Sequence, residues 1–154
     1  MTLNIGIDPT DQVKITQGLR TILADTMALY ARTQLVHWNI TGPLFQSVHA
    51  MTELQYTELA TAVDDLAERL RALNVKVPAT IANLHSDGIP AVNEDDTAEQ
   101  MVAALVKAHE MASVLLRNNI NIAAEANDEV TAGLLTDRLT SHEKTAWMLR
   151  ALLK

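Results

Sequence analysis

The 154-residue sequence contains no cysteine. This absence excludes a disulfide framework and any thiolate metal site, so metal chemistry on this chain would have to use histidine, aspartate and glutamate. Glycine and proline are scarce as well, with five and four residues, and aromatic residues make up only 3% of the chain. With 48% hydrophobic and 20% charged residues, the composition favours one globular, all-helical domain over residues 1–154.

Long hydrophobic runs and concentrated positive charge are also missing. No apolar run reaches the length of a membrane span, and residues 1–10 lack the basic start and apolar stretch of a signal peptide. We therefore expect a soluble, cytoplasmic protein without membrane partners. The net charge is −7 and the twelve Lys and Arg residues are scattered, which disfavours DNA binding without excluding it, because affinity for phosphates comes from clustered positive charge.

Four long segments carry apolar residues at the three- and four-residue steps of an amphipathic helix. They predict helices from Thr10 to about Trp38, from about Leu44 to Leu73, from about Asp96 to Ala124, and from about Asn127 to the end. The apolar positions of the first two are Ile15, Leu19, Ile22, Leu23 and Tyr30, then Leu54, Leu59, Val63, Leu66 and Leu70.

Polar residues at the ends of these segments predict their caps and solvent-facing positions. Asp96, with Glu99 three residues later, is the expected N-cap of the third helix, and Asn127 that of the fourth. Glu58, Asp65 and Arg69 on the second helix are expected to face solvent.

The connections between the predicted helices differ greatly in length. Short turns join the first pair and the last pair, whereas a long segment, residues 74–95, separates the second helix from the third. Short turns make antiparallel hairpins, and the long segment can cross a bundle whose helices are about 40 Å long. Two antiparallel hairpins joined by one crossover is the ferritin-like four-helix bundle. A short helical turn is expected within the crossover, around Pro78 to Leu84.

Histidines and carboxylates are concentrated around the first turn and the second helix. His49 and Glu53 are four residues apart, as are Asp64 and Glu68, so each pair points from one face of a helix. His37, at the end of the first helix, lies across the short turn and can join His49. Imidazole with carboxylate suits ferrous iron, zinc or manganese.

One chain cannot close this metal site. His49 and Glu68 are separated by about 28 Å along a helix, whereas the ligands of one metal converge within a few ångströms. Two antiparallel copies of the second helix, related by a two-fold axis, would bring His37, His49 and Glu53 of one subunit to Asp64 and Glu68 of its partner and generate two identical sites. No histidine follows a glutamate at three residues, which argues against the intrachain di-iron motif of other ferritin-like bundles.

These residues and their spacing resemble the Dps family (DNA-binding proteins from starved cells, or mini-ferritins). The family pattern has a His-Trp pair, a second histidine twelve residues later, an acidic residue four beyond it, and Asp and Glu four apart in a D-x-x-A-E-R context. Here it reads His37-Trp38, His49, Glu53, Asp64 and Glu68, the last two within DDLAER. The resemblance covers essentially the whole chain. Glu53 stands where many members have aspartate, which puts the metal spacing there in question.

The resemblance implies a hollow homo-dodecamer with ferroxidase centres at its two-fold interfaces. Iron(II) would be oxidised there by hydrogen peroxide, or by dioxygen, and stored as an iron(III) mineral, which protects against oxidative damage. It further implies that Trp38 supplies an electron to a reactive intermediate. In similar proteins the region of Glu125, Asp128 and Glu129 lines iron-entry pores; the alternative is a charged turn supported by the helix dipole.

Two other functions remain open from the sequence. One is a nucleoid DNA-binding protein, and the other is a helical assembly with zinc in the same ligands and no redox activity. Outside the motif, His109, His142 and Glu143 form no complete ligand set and are expected to be surface or interface groups, and His85 in the crossover is expected to be solvated.

Overall fold

A computed structural model describes residues 3–79 and 88–154. Within these ranges the chain forms four α-helices and one 3₁₀ turn, and no strand. The helices are α1 Pro9–Asn39, α2 Phe45–Ala72, α3 Ala98–Glu125 and α4 Glu129–Ala151, with the 3₁₀ turn at Gly42–Leu44. The all-helical prediction is confirmed. The helical turn expected around Pro78 to Leu84 falls largely outside the described residues, as does His85.

The helices pair as two antiparallel hairpins. The start of α1 meets the end of α2, where the Gln12 side chain donates to the Leu73 carbonyl at 2.6 Å, and α3 and α4 are tied by ion pairs at Glu110–Arg150 and Arg117–Glu143. In the apolar core, the second half of α1 packs with the first half of α3, so these two helices are also antiparallel. It follows that α2 and α3 run parallel, so that the end of α2 and the start of α3 lie at opposite ends of the bundle, as the predicted crossover requires.

Two apolar clusters fill the bundle from end to end. One, around Leu29, Val36 and Leu105, lies at the end where α1 turns into α2, and the other, around Leu23 and Leu66, lies at the opposite end. The predicted stripe of α1 is buried from Ile15 to Leu23. Leu54 was expected on the apolar side of α2 but is 76% exposed, because its position faces away from the other three helices. None of the helices in the described parts is both long and apolar enough to cross a membrane.

The N-cap of α3 is Thr97, so the prediction of Asp96 was wrong. Thr97 accepts from the Gln100 N–H at 3.3 Å while the Gln100 side chain accepts from the Thr97 N–H at 2.8 Å, which makes a complete capping box. The Asp96 carboxylate instead accepts from the Asn93 N–H at 2.8 Å. Because the Asp96 carboxylate is engaged in the preceding turn, the capping role falls to Thr97.

The corner between α3 and α4 corrects the second predicted cap. Asn127 adopts a left-handed conformation with φ of 56°, and the N–H groups of Asn127 and Asp128 donate to the carbonyls of Ala124 and Ala123 at 3.1 and 2.9 Å. This is the Schellman ending of α3, for which asparagine is a tolerated residue. Because Asn127 ends one helix, the capping role for α4 passes to Asp128, whose carboxylate accepts from the Thr131 N–H.

Replacement of glycine by alanine is expected to have opposite effects on stability at two helical positions. A Cβ at Gly18 would lie 1.7 Å from Oδ1 of the buried Asn119 on α3, whereas a Cβ at Gly133 meets nothing within 4 Å. Gly18→Ala is expected to lower the free energy of unfolding by about 1–3 kcal/mol through overpacking. Gly133→Ala is expected to raise it by about 0.5–1 kcal/mol through helix propensity. Urea midpoints at matched protein concentration measure both, and a neutral Gly18→Ala would contradict the close α1–α3 approach.

Candidate metal centre

His37 and His49 are fixed to each other at the corner between α1 and α2. The Nδ1 atom of His37 lies 2.9 Å from the His49 carbonyl oxygen, and the Nδ1 atom of His49 lies 2.9 Å from the His37 carbonyl oxygen. The two rings stack, with centroids 3.8 Å apart and planes 16° apart. The structure thus brings together the two histidines that the sequence predicted to share a site.

This exchange determines which nitrogen of each ring carries the hydrogen. A carbonyl oxygen can only accept, so both Nδ1 atoms must donate. Thr52, whose hydroxyl donates to the Val48 carbonyl at 2.7 Å, presents its oxygen to Nδ1 of His37 at 3.3 Å. In its neutral form each ring then has its lone pair on Nε2, which is the form that ligates a metal, and the hydrogen bond from Nδ1 raises the basicity of that ligand.

Aromatic side chains hold the histidine pair from both sides. Phe45, the first residue of α2, stacks on His49 with ring centroids 5.0 Å apart, and Tyr56 meets His37 edge-on at 5.2 Å. His37 is buried and His49 half-buried. The rings are therefore ordered by packing as well as by hydrogen bonds.

The three predicted carboxylates lie on the outer face of α2, Glu53 one helical turn from His49 and the other two towards the opposite end of the helix. Glu53, Asp64 and Glu68 are all exposed, and Asp64 lies about 22 Å along the helix from His49. Within residues 3–79 and 88–154, no three His, Asp or Glu side chains come together to hold a metal ion. One chain therefore supplies two separate parts of the predicted ligand set, the two histidines with Glu53 at the corner between α1 and α2, and Asp64 with Glu68 further along α2.

Trp38 is 66% exposed at the end of α1. It follows His37 in the chain but does not enter the core of its own subunit. Its role as an electron donor stays a prediction.

Asp128, one of the three predicted pore acids, has partners inside the subunit. Its carboxylate accepts from Arg69 Nη2 at 2.7 Å, from the Thr131 N–H at 2.9 Å and from the Thr131 hydroxyl at 2.5 Å, and its side chain is 1% exposed. The expectation that Arg69 faces solvent was wrong, since its side chain is 11% exposed. Glu125 and Glu129 are exposed beside this corner, and the pore role itself stays a prediction.

Asp128→Asn is expected to lower the free energy of unfolding by about 2–4 kcal/mol, because it leaves the Arg69 charge buried without a counter-ion. Burial favours a higher pKa for Asp128, but hydrogen bonds from Thr131 and Arg69, with the charge of Arg69, outweigh it and lower the pKa below its ordinary value. The difference in free energy of unfolding between the wild type and Asp128→Asn is therefore complete above about pH 4 and declines as the pH falls further. Denaturant unfolding at several pH values measures this, with exposed Glu129→Gln, expected within about 0.5 kcal/mol of wild type, as the control.

His109 and His142 are core residues, and the expectation that they are surface or interface groups was wrong. They are 3% and 2% exposed, and they face each other between α3 and α4. Glu143, predicted in the same group, is exposed and pairs with Arg117. A lone histidine on each of two helices gives no sign of this contact, because the register of the α3–α4 hairpin decides it.

The topology of the bundle places the protein in the ferritin-like class, and residues 16–154 match the family described as the ferritin-like domain. DNA protection during starvation protein 2 of Bacillus anthracis is 38% identical over 91% of this chain and 97% of its own length. Among solved structures, the Dps protein of Vibrio cholerae O1, described as a member of a superfamily of ferritin-like diiron-carboxylate proteins, superposes with a TM-score of 0.90 at 31% identity over 100% of this chain and 98% of that one. Antigen TpF1 of Treponema pallidum gives a TM-score of 0.90 at 33% identity over 99% of both chains. The chain therefore belongs to the Dps family of ferritin-like proteins.

Proposed function

We propose that this protein is a ferroxidase and iron-storage mini-ferritin. It oxidises iron(II) with hydrogen peroxide, or with dioxygen, at centres shared between two subunits, and it stores iron(III) as a mineral inside a hollow homo-dodecamer. The observation that carries the proposal is the pair of imidazoles at His37 of α1 and His49 of α2, each with its Nδ1 tied to a carbonyl oxygen, beside an outer face of α2 that carries the matching carboxylates.

The spacing of the ligands supports a two-fold axis across α2. In an antiparallel pair of identical helices, residues that face each other have a common midpoint. His49 with Glu68, and Glu53 with Asp64, share the same midpoint, between Glu58 and Leu59. One axis at that point therefore brings both parts of the ligand set together, and symmetry repeats the site at the other end.

The outer face of α2 is suited to the close approach that this axis requires. Thr57 and Ala60 have the same midpoint as the ligand pairs, and both are small and exposed. Other exposed residues of this face are Gln46, Ala50 and Leu54, towards the start of α2, and Thr61 beside Ala60. A partner helix laid here covers the exposed Leu54 and meets no large side chain at its centre.

The ligand set fits iron as a substrate. Neutral imidazole nitrogen with carboxylate oxygen binds ferrous iron, and added carboxylates favour the harder iron(III) product. Each iron(II) gives one electron, so two iron(II) ions and two protons reduce one hydrogen peroxide to two waters. The reaction removes both reagents that otherwise generate hydroxyl radical, and storage of the product keeps it from being reduced again.

Protection of DNA follows from this chemistry without contact to DNA. The B. anthracis relative is named for DNA protection during starvation. The net charge of −7 disfavours binding to phosphates, so we expect protection by removal of iron(II) and peroxide.

A stopped-flow absorbance experiment tests the proposal. Anaerobic protein loaded with two iron(II) ions per subunit is mixed with peroxide or with dissolved oxygen, and the product is then separated by size to measure iron retained per assembly. We expect oxidation much faster than in buffer, with iron(III) co-eluting with the protein. Oxidation at the buffer rate with stoichiometric zinc binding would favour the redox-inactive zinc assembly, and a retarded DNA complex at physiological salt would favour the nucleoid protein.

A further inference from the structure

His109 on α3 and His142 on α4 form a buried pair that the proposed function does not use. Their Nδ1 atoms are 2.9 Å apart and their rings are tilted by 50°. At this distance one Nδ1 must donate and the other accept, because two N–H groups or two lone pairs would repel each other. The two rings are therefore joined by one hydrogen bond between their Nδ1 atoms, and we call this arrangement the closed pair.

Arg138 determines the direction of that hydrogen bond. Its Nη2 lies 3.3 Å from Nε2 of His142, and a guanidinium group can only donate. His142 therefore accepts at Nε2 and donates from Nδ1 to His109. His109 then carries its own hydrogen on Nε2, which is buried and has no acceptor among the described residues.

The same arginine connects the pair to α2. Arg138, whose side chain is 7% exposed, pairs with Glu58, which is 46% exposed, and the Ser141 hydroxyl donates to the same carboxylate at 3.3 Å. Glu58 lies level with the midpoint of the proposed two-fold contact, on the side of α2 that faces α4. A continuous series of hydrogen bonds thus leads from the core of the bundle to α2, the helix on which two copies would meet.

The surroundings of the pair disfavour positive charge. Burial and the charge of Arg138 lower the pKa of His109 to about 3, and burial, His109 and Arg138 lower the pKa of His142 well below its ordinary value. Besides Arg138 of α4 and Glu58 of α2, the described charged groups near the pair include Asp25 of α1, which lines a small cavity with His142. Ala112 and Leu116 of α3 line that cavity as well, so α3 presents apolar groups there.

We propose that His109 and His142, connected through Arg138 to Glu58, form an acid-sensitive switch whose protonation opens the contact between α3 and α4 and releases the assembly. An added proton has no acceptable place in the closed pair. On Nδ1 of His109 it opposes the N–H of His142, and on Nε2 of His142 it opposes the donor of Arg138. The release of the assembly rests on the proposed function, whereas the opening of the α3–α4 contact does not.

The direction of the pH dependence follows from proton linkage. An unfolded histidine titrates near pH 6.5, while the closed pair stays neutral to lower pH. Stability is therefore complete above about pH 6.5 and is lost as the pH falls below it. With both histidines protonated on opening, two protons are taken up per subunit, and the opening equilibrium changes by up to about 100-fold per pH unit.

The test compares the assembled wild-type protein with His109→Asn, His142→Gln and the double variant, whose amides hydrogen-bond but do not titrate. Between pH 7.5 and about 5, where carboxylates stay ionised, sedimentation velocity gives the assembled fraction and urea unfolding gives the midpoint. His85→Gln, which removes a histidine outside the pair, is the control. We expect wild type and control to lose assembly and stability together on acidification, and the amide variants to lose about tenfold less per pH unit for each histidine replaced.

If the assembled fraction and the urea midpoint depend equally on pH in the wild type and in the folded amide variants, the proposed switch is wrong. If the amide variants do not fold, the wild-type slope decides: proton uptake near zero per subunit below pH 6.5 overturns it, and uptake near two supports it. A wild-type chain that is monomeric at pH 7.5 would instead contradict the proposed assembly, and its urea slope would still test the histidine pair.

Discussion

Replacement of both His37 and His49 by alanine is expected to slow iron(II) oxidation by more than about 100-fold, since the loss of a single outer-shell partner of a metal ligand already costs 10–100-fold. Asp64→Ala/Glu68→Ala is expected to be equally inactive, although these carboxylates lie far from the histidines on the same chain. Stopped-flow absorbance with peroxide measures both. Asp65→Ala removes an adjacent exposed carboxylate and is expected to leave the rate within about twofold of wild type.

Mixing the two inactive variants gives a sharper test of the shared site. In a mixed pair, the chain with intact histidines faces the chain with intact carboxylates, so one of the two symmetric sites is complete. With random pairing about one quarter of all sites regain activity. Co-expression with two affinity tags isolates mixed assemblies, and mixed assemblies as inactive as their parents would show that the site does not combine these halves.

Ala60→Glu is expected to break the contact between two copies of α2. In the proposed register Ala60 faces Thr57 of the partner, and the two-fold axis places the substitution twice in each interface. A longer, charged side chain buried in this contact without a counter-ion costs several kcal/mol per ion, so the dimer dissociation constant is expected to rise by at least about 100-fold. Iron oxidation is expected to fall with it, because neither chain alone has a complete site.

The control for this substitution is Ala103→Glu, which adds the same side chain at an exposed position of α3. Sedimentation velocity reports the assembly, and helical circular dichroism reports whether each chain is folded. A folded Ala60→Glu protein that keeps wild-type assembly and oxidation would contradict the two-fold axis across α2.

The helices and most of their buried stripes could be predicted from the sequence, because a 3.6-residue repeat is a sum over many positions. The position of a helix cap depends on only one or two residues, and both predicted N-caps were wrong. Asp96 with Glu99 and Thr97 with Gln100 have the same capping-box spacing, and the box forms at Thr97 while the Asp96 carboxylate accepts from the Asn93 N–H. Asn127 adopts the left-handed conformation that ends α3, so it does not act as the N-cap of α4.

Pairs four residues apart share a helix face, so the sequence could predict which side chains lie together on α2, and their role as metal ligands stays a prediction. The exchange of hydrogen bonds between His37 and His49 was not predictable, since it depends on the geometry of the Gly42–Leu44 turn. Contacts between residues far apart in the chain were missed as well. Arg69 reaches Asp128 and Arg138 reaches Glu58 across 59 and 80 residues, and no local pattern distinguishes these buried arginines from solvated ones.

The mutual hydrogen bonds of His37 and His49 have a consequence for newly synthesised subunits. A single chain already orients both rings, with each Nδ1 donating to a carbonyl oxygen and each Nε2 left for a metal, so iron(II) freezes no ring rotation. In the proposed arrangement, the missing ligands are carboxylates of a second chain. An unassembled subunit is then inert towards iron and peroxide, and catalysis begins only once the container for its insoluble product has started to form.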